Sequence, residues 1–347
     1  MSYPQEHKRK VVWYHSNMKK LDFIAIGDIV VDNFIRLEEA EVHCNINTDE
    51  CTISMSWGDK IPFESSTPIA AVGNSPNAAV AAARLGLSTG MMTWMGSDRL
   101  GDDCMDVLTT EHIDTDLVNR GDKVPTNAHY VLWFRAERTI LIKHNEFPYS
   151  FPDFQAPRTI YLSSLAPTAG IIHDELAKWL PEHPETKLVF QPGTFQIEVG
   201  KDVMAPIYKN TEVVACNKEE AERILERGPD DIKNLLRDMR ALGPKIALIT
   251  DGPNGAYVYD GNRTIKVPMY PDPRPPVDRT GAGDAFTATF AIALALGKPL
   301  DEAMLWGPIN SMNVVQEVGA QKGLLTREVL EEHLRNAPEE FHITELD

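Results

Sequence analysis

The segment Thr280-Gly281-Ala282-Gly283-Asp284 joins a glycine loop to a carboxylate, and an apolar run over residues 285–296 follows it directly. Glycines on both sides of one alanine let consecutive backbone N–H groups point at a single position, and a following helix adds its positive dipole end there. Such a loop can bind a phosphate, and an aspartate on the first helical turn can take a proton from an attacking hydroxyl. The alternative is a tight strand-to-helix turn in which Asp284 only balances the helix dipole.

Short apolar runs recur along the chain, and helical patterns separate them. The predicted strands are residues 23–26, 159–162, 188–190, 213–215 and 246–249. The predicted helices are residues 76–85, 173–180, 218–227 and 231–242, the first with Ser75 as its cap. Apolar strands that alternate with helices predict a doubly wound, mostly parallel α/β sheet with helices on both faces.

Two regions depart from this alternation and predict a small β-sheet that stands off the main domain. Apolar and polar residues alternate over 51–57, and residues 130–135 and 139–143 form a predicted hairpin. Such a sheet suits a lid over a substrate cleft, with lid segments at about 34–68 and 128–145. A surface for dimer formation is the alternative, and the two roles can coexist.

The remaining pattern predicts one domain over residues 18–335, with a C-terminal tail at 336–347. Residues 1–17 are polar and basic and lack the apolar core of a signal peptide, so we expect an extension outside the fold, with Met18 as an alternative start. No apolar run approaches the roughly 18 residues that a membrane span needs.

The charge and the metal-binding residue types limit the partners. The chain has 51 acidic and 34 basic residues, a formal net charge of −17, which disfavours nucleic acid and anionic membranes as partners. Its four cysteines form no C-x-x-C pair, which argues against a zinc knuckle or a disulfide framework and predicts a reducing, cytoplasmic setting. The ten histidines lack H-x-x-x-H spacing, which argues against a histidine metal site.

The glycine loop resembles a signature of the ribokinase-like (PfkB) family of sugar and nucleoside kinases. Residues 277–286, Val-Asp-Arg-Thr-Gly-Ala-Gly-Asp-Ala-Phe, are similar to the family's C-terminal signature D-T-x-G-A-G-D-x-F. The resemblance extends over about residues 21–330 and implies a ribokinase-like fold. It also implies Asp284 as the catalytic base, and the amides of Gly281, Ala282 and Gly283 as the anion hole for a transferred γ-phosphoryl group.

The acceptor side carries a fainter match to the same family. Gly73-Asn74-Ser75-Pro76-Asn77 resembles the family's G-G-x-x-x-N segment, with Val72 in place of the first glycine. By this match Gly73 and Asn77 bind the substrate. Asp32, which ends the segment Gly27-Asp28-Ile29-Val30-Val31-Asp32, matches an aspartate that binds substrate hydroxyls; a strand-terminal turn residue is the alternative.

On the nucleotide side, Asn217-Lys218-Glu219-Glu220 resembles the family's N-x-x-E motif, although acidic residues are also usual at a helix start. The segment 250–255 resembles a T-x-G-x-x-G turn that contacts ATP, and Asn310 and Asn313 lie on a helix expected to line the adenine pocket. The residues that the resemblance implies for the nucleotide are Asn217, Thr250, Gly252, Gly255, Asp278 and Thr280, with Glu220 orienting Mg²⁺ through water.

The resemblance therefore implies a cytoplasmic, ATP- and Mg²⁺-dependent transferase that phosphorylates a hydroxyl of a sugar or sugar-like small molecule. A monovalent cation is a further candidate cofactor, and a homodimer through the lid is a candidate assembly. Gln191 stands where many sugar kinases carry the aspartate of a D-x-N-x-R segment, so the acceptor class stays open. The alternatives are a nucleoside kinase of the same family and a non-catalytic sugar or nucleotide sensor.

Overall fold

The structure is a computed structural model that describes residues 19–45, 50–134 and 137–346. The predicted extension at residues 1–17 lies outside the described residues. The strands in chain order are β1 (Phe23–Ile26), β2 (Val30–Leu37), β3 (Glu41–Asn45), β4 (Glu50–Ser54), β5 (Phe63–Val72), β6 (Thr89–Gly96), β7 (Val118–Gly121), β8 (Asn127–Phe134), β9 (Glu137–Leu141), β10 (Thr159–Leu162), β11 (Lys187–Phe190), β12 (Thr211–Asn217), β13 (Ile246–Thr250), β14 (Ala256–Tyr259), β15 (Thr264–Val267) and β16 (Thr344–Leu346).

Helices separate most of these strands. They are α1 (Asn74–Arg84), α2 (Arg99–Thr110), α3 (Gly170–Trp179), α4 (Thr194–Val199), α5 (Ala205–Lys209), α6 (Lys218–Ile224), α7 (Ile232–Ala241), α8 (Ala282–Ala295), α9 (Leu300–Val314) and α10 (Arg327–Arg335). Within the described residues, no helix is long and apolar enough to cross a membrane.

A ten-stranded sheet in the order β16-β15-β14-β13-β12-β11-β10-β1-β6-β7 forms the centre of the molecule. The strands from β7 to β13 in this order pair in parallel, and β14, β15 and β16 extend the sheet in antiparallel pairs. The predicted mostly parallel α/β sheet is therefore confirmed. In such a sheet the strands' carboxyl ends share one edge, where ligands usually bind.

Two apolar cores cover the two faces of this sheet. One contains Phe290 of α8 and Trp306 of α9 together with residues of α1, α2 and α10. The other contains residues of α3, α5, α6 and α7, among them Leu176 and Leu235. Helix α8, which begins in the glycine loop, is buried over most of its length, so its first turn is held rigidly at the sheet edge.

A second sheet, with the strand order β5-β2-β8-β9, forms the predicted small β-sheet. Strand β2 pairs in parallel with β8, whereas β5 and β9 pair in antiparallel fashion at the two edges. The hairpin of β3 and β4 is a separate two-stranded sheet between β2 and β5 in the chain. We call the four-stranded sheet the lid sheet. Of its hairpin turn, Arg135 and Ala136 lie outside the described residues.

Three local predictions are corrected by the structure. Cys44 and Cys51, opposite each other on β3 and β4, form a disulfide, because the hairpin brings together two cysteines only seven residues apart. The prediction of a reducing setting rested on unpaired cysteines and loses that support. Ser75 does not cap α1, since its hydroxyl bonds the carbonyl of Ile26 on β1 instead. The predicted tail contributes strand β16 to the main sheet.

Candidate active site

Helix α8 begins at the glycine loop, and its first turn carries Asp284. Gly281 precedes the helix in the left-handed region at φ 77°, where a β-carbon would lie 2.3 Å from Cβ of Ala320. Only glycine fits both the backbone angle and this close approach. The first N–H groups of a helix have no partner within it, so the loop presents donors and a positive dipole end at the sheet edge.

Three side-chain amides hold the Asp284 carboxylate. Asn74 Nδ2 donates to Oδ1 at 2.8 Å, Gln191 Nε2 donates to Oδ1 at 3.0 Å, and Asn77 Nδ2 donates to Oδ2 at 3.0 Å. Asn74 and Asn77 lie on the first turn of α1, and Gln191 directly follows β11. The structure therefore brings the predicted base, Asp284, into direct contact with Asn77, which was predicted to bind the substrate.

Two of these amides are themselves oriented by a second donor. The Tyr161 hydroxyl donates to Gln191 Oε1 at 2.5 Å, and Gln321 Nε2 donates to Asn77 Oδ1 at 3.0 Å. An amide whose oxygen is occupied in this way turns its NH₂ group toward Asp284. The orientation of the carboxylate therefore depends on residues from α1, β10, the end of β11 and the chain after α9.

Burial raises the pKa of the Asp284 carboxyl above its ordinary value, against the opposing effect of the three amide donors. The same low-dielectric surroundings raise the pKa of the Tyr161 hydroxyl well above its usual range, and the charge of Asp284 adds to that shift. Tyr161 therefore remains a hydrogen-bond donor at any physiological pH. A carboxylate with a raised pKa is a stronger base than an exposed aspartate.

The predicted N-x-x-E pair starts helix α6. Asn217 Oδ1 accepts from the Glu220 backbone N–H at 2.8 Å, and Glu220 Oε2 accepts from the Asn217 N–H at 2.9 Å. This reciprocal capping box is the structural role that acidic residues at a helix start often have. Burial raises the pKa of Glu220, and the negative charge of Asp284 raises it further, so the two carboxylates influence each other electrostatically.

A cavity of about 230 Å³ opens beside the glycine loop. Its lining includes Ala282 and Gly283 of the loop and three residues of the predicted nucleotide turn, Thr250, Gly252 and Gly255. Helix α9 contributes Ser311 and Met312 rather than Asn310 or Asn313. Asn310 instead bonds Thr289, and Asn313 bonds the carbonyl of Gly323, so neither of the two predicted candidates faces the cavity.

Asp278 lies beside this cavity and organises the loop. Its Oδ1 accepts from the backbone N–H and the hydroxyl of Thr280, at 2.9 and 2.6 Å, and its Oδ2 accepts from the Gly319 N–H at 2.9 Å. Arg138 of the lid strand β9 lies 3.3 Å from the same carboxylate. Asp278 and Thr280 therefore shape the approach to the glycine loop, and one lid residue reaches it.

Asp32 lies on the lid strand β2, nine-tenths buried, with its Oδ1 3.4 Å from His129 Nδ1 on β8. Gly73 precedes α1 at φ 125°, where a β-carbon would lie 3.0 Å from the carbonyl oxygen of Asp28. The Asp28 carboxylate in turn contacts His144 Nδ1 at 2.9 Å and the Tyr149 hydroxyl at 2.8 Å.

A match to a known protein family shows which family this chain belongs to. A family model described as "pfkB family carbohydrate kinase" matches residues 44–327. The chain belongs to the pfkB family of carbohydrate kinases. It is accordingly a phosphotransferase with an alcohol group as acceptor, a sugar or nucleoside kinase of the ribokinase-like type.

Curated relatives in this family include kinases of different acceptors. An ATP-dependent 6-phosphofructokinase of Thermoanaerobacterium thermosaccharolyticum is 26% identical over 325 residues, which cover 87% of this chain and 90% of the relative. The ribokinase of Bacillus subtilis is 24% identical over 270 residues, 76% of this chain and 87% of the relative. These relatives agree on phosphoryl transfer and differ in the acceptor.

Solved structures of pfkB-family relatives share the fold. The Methanocaldococcus jannaschii nucleoside kinase matches with a TM-score of 0.76 at 19% identity, covering 91% of this chain and 99% of that one. An Arabidopsis thaliana ribokinase complexed with ribose and ATP matches equally, with a TM-score of 0.76, 19% identity and the same coverage. The predicted ribokinase-like fold with its small β-sheet is therefore confirmed.

Several residues of this pfkB-family site were not predicted from the sequence. Asn74, Tyr161 and Gln321 belong to the network around Asp284, and His129 contacts Asp32. The position of Gln191 at a departure from the family pattern was a signal, since the replacement conserves hydrogen-bonding ability while it removes a charge. No spacing rule joins Tyr161 to Gln191 or Gln321 to Asn77, because these contacts depend on the tertiary fold.

Proposed function

We propose that this protein is an ATP-dependent kinase that transfers the γ-phosphoryl group to a hydroxyl of a sugar or sugar-like small molecule. The observation that carries the proposal is the position of the Asp284 carboxylate. It lies on the first turn of α8, accepts hydrogen bonds from three side-chain amides, and lies beside a cavity that the glycine loop lines. Phosphoryl transfer needs alignment and charge neutralisation more than covalent help from the protein, and this site offers both.

In this proposal Asp284 takes the proton of the acceptor hydroxyl. The helix dipole favours its charged form and so weakens it as a base, but burial outweighs the amide donors and raises its pKa. The amides of Gly281, Ala282 and Gly283 face the charge that grows on the transferred group. Removing one donor of this kind typically costs about 100- to 1,000-fold in rate.

The nucleotide occupies the cavity between the turn at 250–255 and helix α9. Thr250, Gly252 and Gly255 line it directly, whereas Asn217, Asp278 and Thr280 act at its phosphate end by holding the loop and the start of α6. A cavity with a largely apolar lining and a few polar groups is typical of small-ligand sites. ATP is favoured by the relatives, one of which is complexed with ribose and ATP and another with ADP.

The residues near the phosphate end suit Mg²⁺, a cation that prefers oxygen ligands. The negative charges of Glu220 and Asp284 repel each other, and a divalent cation between them would relieve this repulsion. Within the described residues no group of three or more acidic, histidine or cysteine side chains could hold a metal by itself. Glu220 would therefore orient, through water, a Mg²⁺ that neutralises the nucleotide phosphates. A monovalent-ion requirement stays a prediction.

The lid side receives the acceptor in this proposal. Asp32, Gly73 and Asn77 bind it, and Asn77 connects it to Asp284. The lid sheet is also the proposed surface of a homodimer, because it exposes large apolar side chains. In the lid sheet and in the loops directly beside it, those more than half exposed are Trp57, Phe63, Leu141 and Ile142. A cytoplasmic location remains the expected setting for a kinase that uses ATP and a small-molecule acceptor.

The test is ADP release with Mg²⁺ and ATP over a panel of sugars and nucleosides. We expect turnover only when a suitable alcohol is present, and expect Asp284→Asn to abolish it while the circular dichroism spectrum and unfolding temperature stay close to the wild type. Asp174→Asn, an exposed aspartate on α3, is the matched control and keeps full activity. A fully active Asp284→Asn would refute the role of Asp284 as the base, and no turnover with any panel member would refute the kinase assignment.

A nucleoside kinase is the second candidate, because relatives include a Thermococcus kodakarensis cytidine kinase that is 33% identical over 120 residues. This match covers 34% of the present chain. The panel separates the two candidates by the ratio of kcat/KM for ribose to that for cytidine. The non-catalytic sensor predicts ligand binding without ADP release, and the same assay excludes it if turnover is found.

A further inference from the structure

Within the described residues, six buried side-chain polar atoms lack a hydrogen-bond partner, and three of them lie on two neighbouring strands of the lid sheet. These three are Asp32 Oδ1, Asn127 Nδ2 and His129 Nε2. A buried polar atom without a partner destabilises a fold, and native proteins keep few of them. Three at one place therefore point to a ligand that supplies the missing partners.

The three side chains share one face of the lid sheet. Asp32 lies opposite His129 in the parallel pairing of β2 with β8, and Asn127 precedes His129 by two residues. The 3.4 Å between Asp32 Oδ1 and His129 Nδ1 is an ion-pair distance, but it does not satisfy the Asp32 oxygen as a hydrogen bond. Asn33, on the other face, is already engaged by the backbone carbonyl of His129.

Ring contacts lead from this face to α4, which follows the segment that carries Gln191. The His129 ring lies 5.2 Å from the His144 ring, and the His144 ring lies edge-on to Phe195 at 5.1 Å. Phe195 belongs to α4, which begins three residues after Gln191, a direct partner of Asp284. An acceptor bound against the lid face therefore lies between the lid and the base.

We propose that His129 determines acceptor specificity. Together with Asp32 and Asn127, it binds two adjacent hydroxyls of a neutral, unphosphorylated polyol. This inference rests on the proposed kinase function and names the acceptor chemistry at the lid end of that site. A hydroxyl both donates and accepts, so one hydroxyl can donate to Asp32 while its neighbour pairs with His129 Nε2 and Asn127 Nδ2.

The charges at this end support a neutral ligand. Asp28 and Asp32 are both nine-tenths buried or more. Among the described residues, both contact imidazole rings rather than lysine or arginine side chains. Arg138, the lid arginine described nearest the loop, is paired with Asp278 at the nucleotide side. A phosphate placed against Asp32 would meet a buried carboxylate without a paired guanidinium, which is unfavourable.

The test separates binding from turnover. Thermal unfolding is measured with D-ribose, 2-deoxy-D-ribose, cytidine and fructose 6-phosphate as probes, for the wild type, His129→Ala and His129→Gln. We expect ribose or cytidine to bind the wild type and so to raise its unfolding temperature. His129→Ala should weaken this binding at least about 10-fold, which corresponds to the free energy of one lost hydrogen bond. His129→Gln retains a polar side chain and should recover part of the affinity. His183→Ala is the control, because the His183 ring stacks on Trp179 at the end of α3; this variant should bind the probes as the wild type does.

In steady-state assays of the same variants, the KM for the acceptor should rise while the KM for ATP is unchanged. In the wild type 2-deoxy-D-ribose should bind more weakly than ribose, and this difference should shrink in His129→Ala if the imidazole pairs with the missing hydroxyl. Probe binding without ADP release would refute the proposed kinase function and leave this inference standing. Wild-type binding that survives unchanged in His129→Ala, stabilisation by fructose 6-phosphate alone, or no stabilisation by any probe would overturn the inference.

Discussion

The carboxylate of Asp284 is subject to two opposing influences, burial that favours its proton and three amide donors that favour its charge. Its basicity is therefore set in part by residues outside the proposed acceptor site. Tyr161 is the most remote of them, since it acts only through the amide of Gln191. A change at Tyr161 should be visible in the pH dependence of the reaction and not in nucleotide binding.

We expect Gln191→Met to move the acid limb of the kcat profile to higher pH by about one unit, because it removes a donor that stabilises the carboxylate and so raises its pKa. Tyr161→Phe should move the limb in the same direction by less, with the KM for ATP unchanged. Tyr208→Phe, an equally buried tyrosine in the core on the other face of the sheet, is the control. A limb that stays in place in both Gln191→Met and Tyr161→Phe would show that the amides do not tune the base.

At this scale the sequence predicts the residues that a short motif contains and misses those that the fold adds. Asp284 was predicted from the glycine loop and Asn77 from the resemblance to the family's segment, and the structure places them in contact. Tyr161 and His129 could not be predicted, since one lies in an apolar strand and the other in a lid strand without a recognisable pattern. Their roles depend on which strand lies beside which, and that register is a tertiary property.

Helix α8 offers a matched pair of glycines at its two ends. Gly281 and Gly297 both adopt left-handed angles, φ 77° and 79°, but a β-carbon at Gly281 would contact Ala320 at 2.3 Å whereas one at Gly297 would contact nothing within 4 Å. Both alanine substitutions therefore incur the left-handed backbone penalty of about 1 kcal/mol. Only Gly281→Ala must also displace the glycine loop, because its new β-carbon would collide with Ala320.

We accordingly expect both variants to lose a similar, small amount of stability from backbone strain, with a further loss in Gly281→Ala. Gly281→Ala should lose most of its kcat, at least about 100-fold, because its loop donors move away from the transferred group. Chemical denaturation and steady-state kinetics on the two variants check this. Equal activities in Gly281→Ala and Gly297→Ala would contradict the anion-hole role of the loop.

The C-terminal segment is a second element with a testable role. Phe341 is 6% exposed and its ring packs against Tyr270, which lines the nucleotide cavity, while β16 pairs with β15. Deleting residues 336–347 should lower the unfolding free energy by about 3 kcal/mol, the cost of removing a buried phenylalanine, and should weaken nucleotide binding. Phe341→Leu, which keeps most of the apolar volume, should lose far less. A deletion variant as stable as the full chain would contradict this role.

The elements themselves were largely predictable, because buried parallel strands are continuous apolar runs and surface helices are amphipathic. Helices α6 and α7 begin at Lys218 and Ile232, at or within one residue of the predicted starts at 218 and 231. Prediction failed where a residue had two suitable partners. Ser75 could cap α1 or bond β1, and only the packing of α1 on the sheet selects the second.

At the scale of the whole molecule, the lid sheet carries exposed apolar side chains on a chain with a net charge of −17. Mutual repulsion between two such chains opposes association, so a dimer needs an apolar interface and should tighten as salt screens the charges. We expect the wild type to have twice the monomer mass in light scattering and expect Leu141→Asp to have the monomer mass. Val203→Asp, at a position even more exposed than Leu141 but outside the lid, should remain dimeric. A monomeric wild type at high salt would contradict the proposed interface.

Strand β16 forms the edge of the main sheet from the last described residues of the chain, Thr344–Leu346. A ribosome makes the chain from the amino end, so β15 is synthesised some eighty residues before its partner strand and presents an unpaired edge until residues 344–346 have been made. Exposed strand edges pair readily with other chains. Messages that terminate before the codons for residues 344–346 should therefore yield products that aggregate or need chaperones, even though every residue of the proposed active site has already been made.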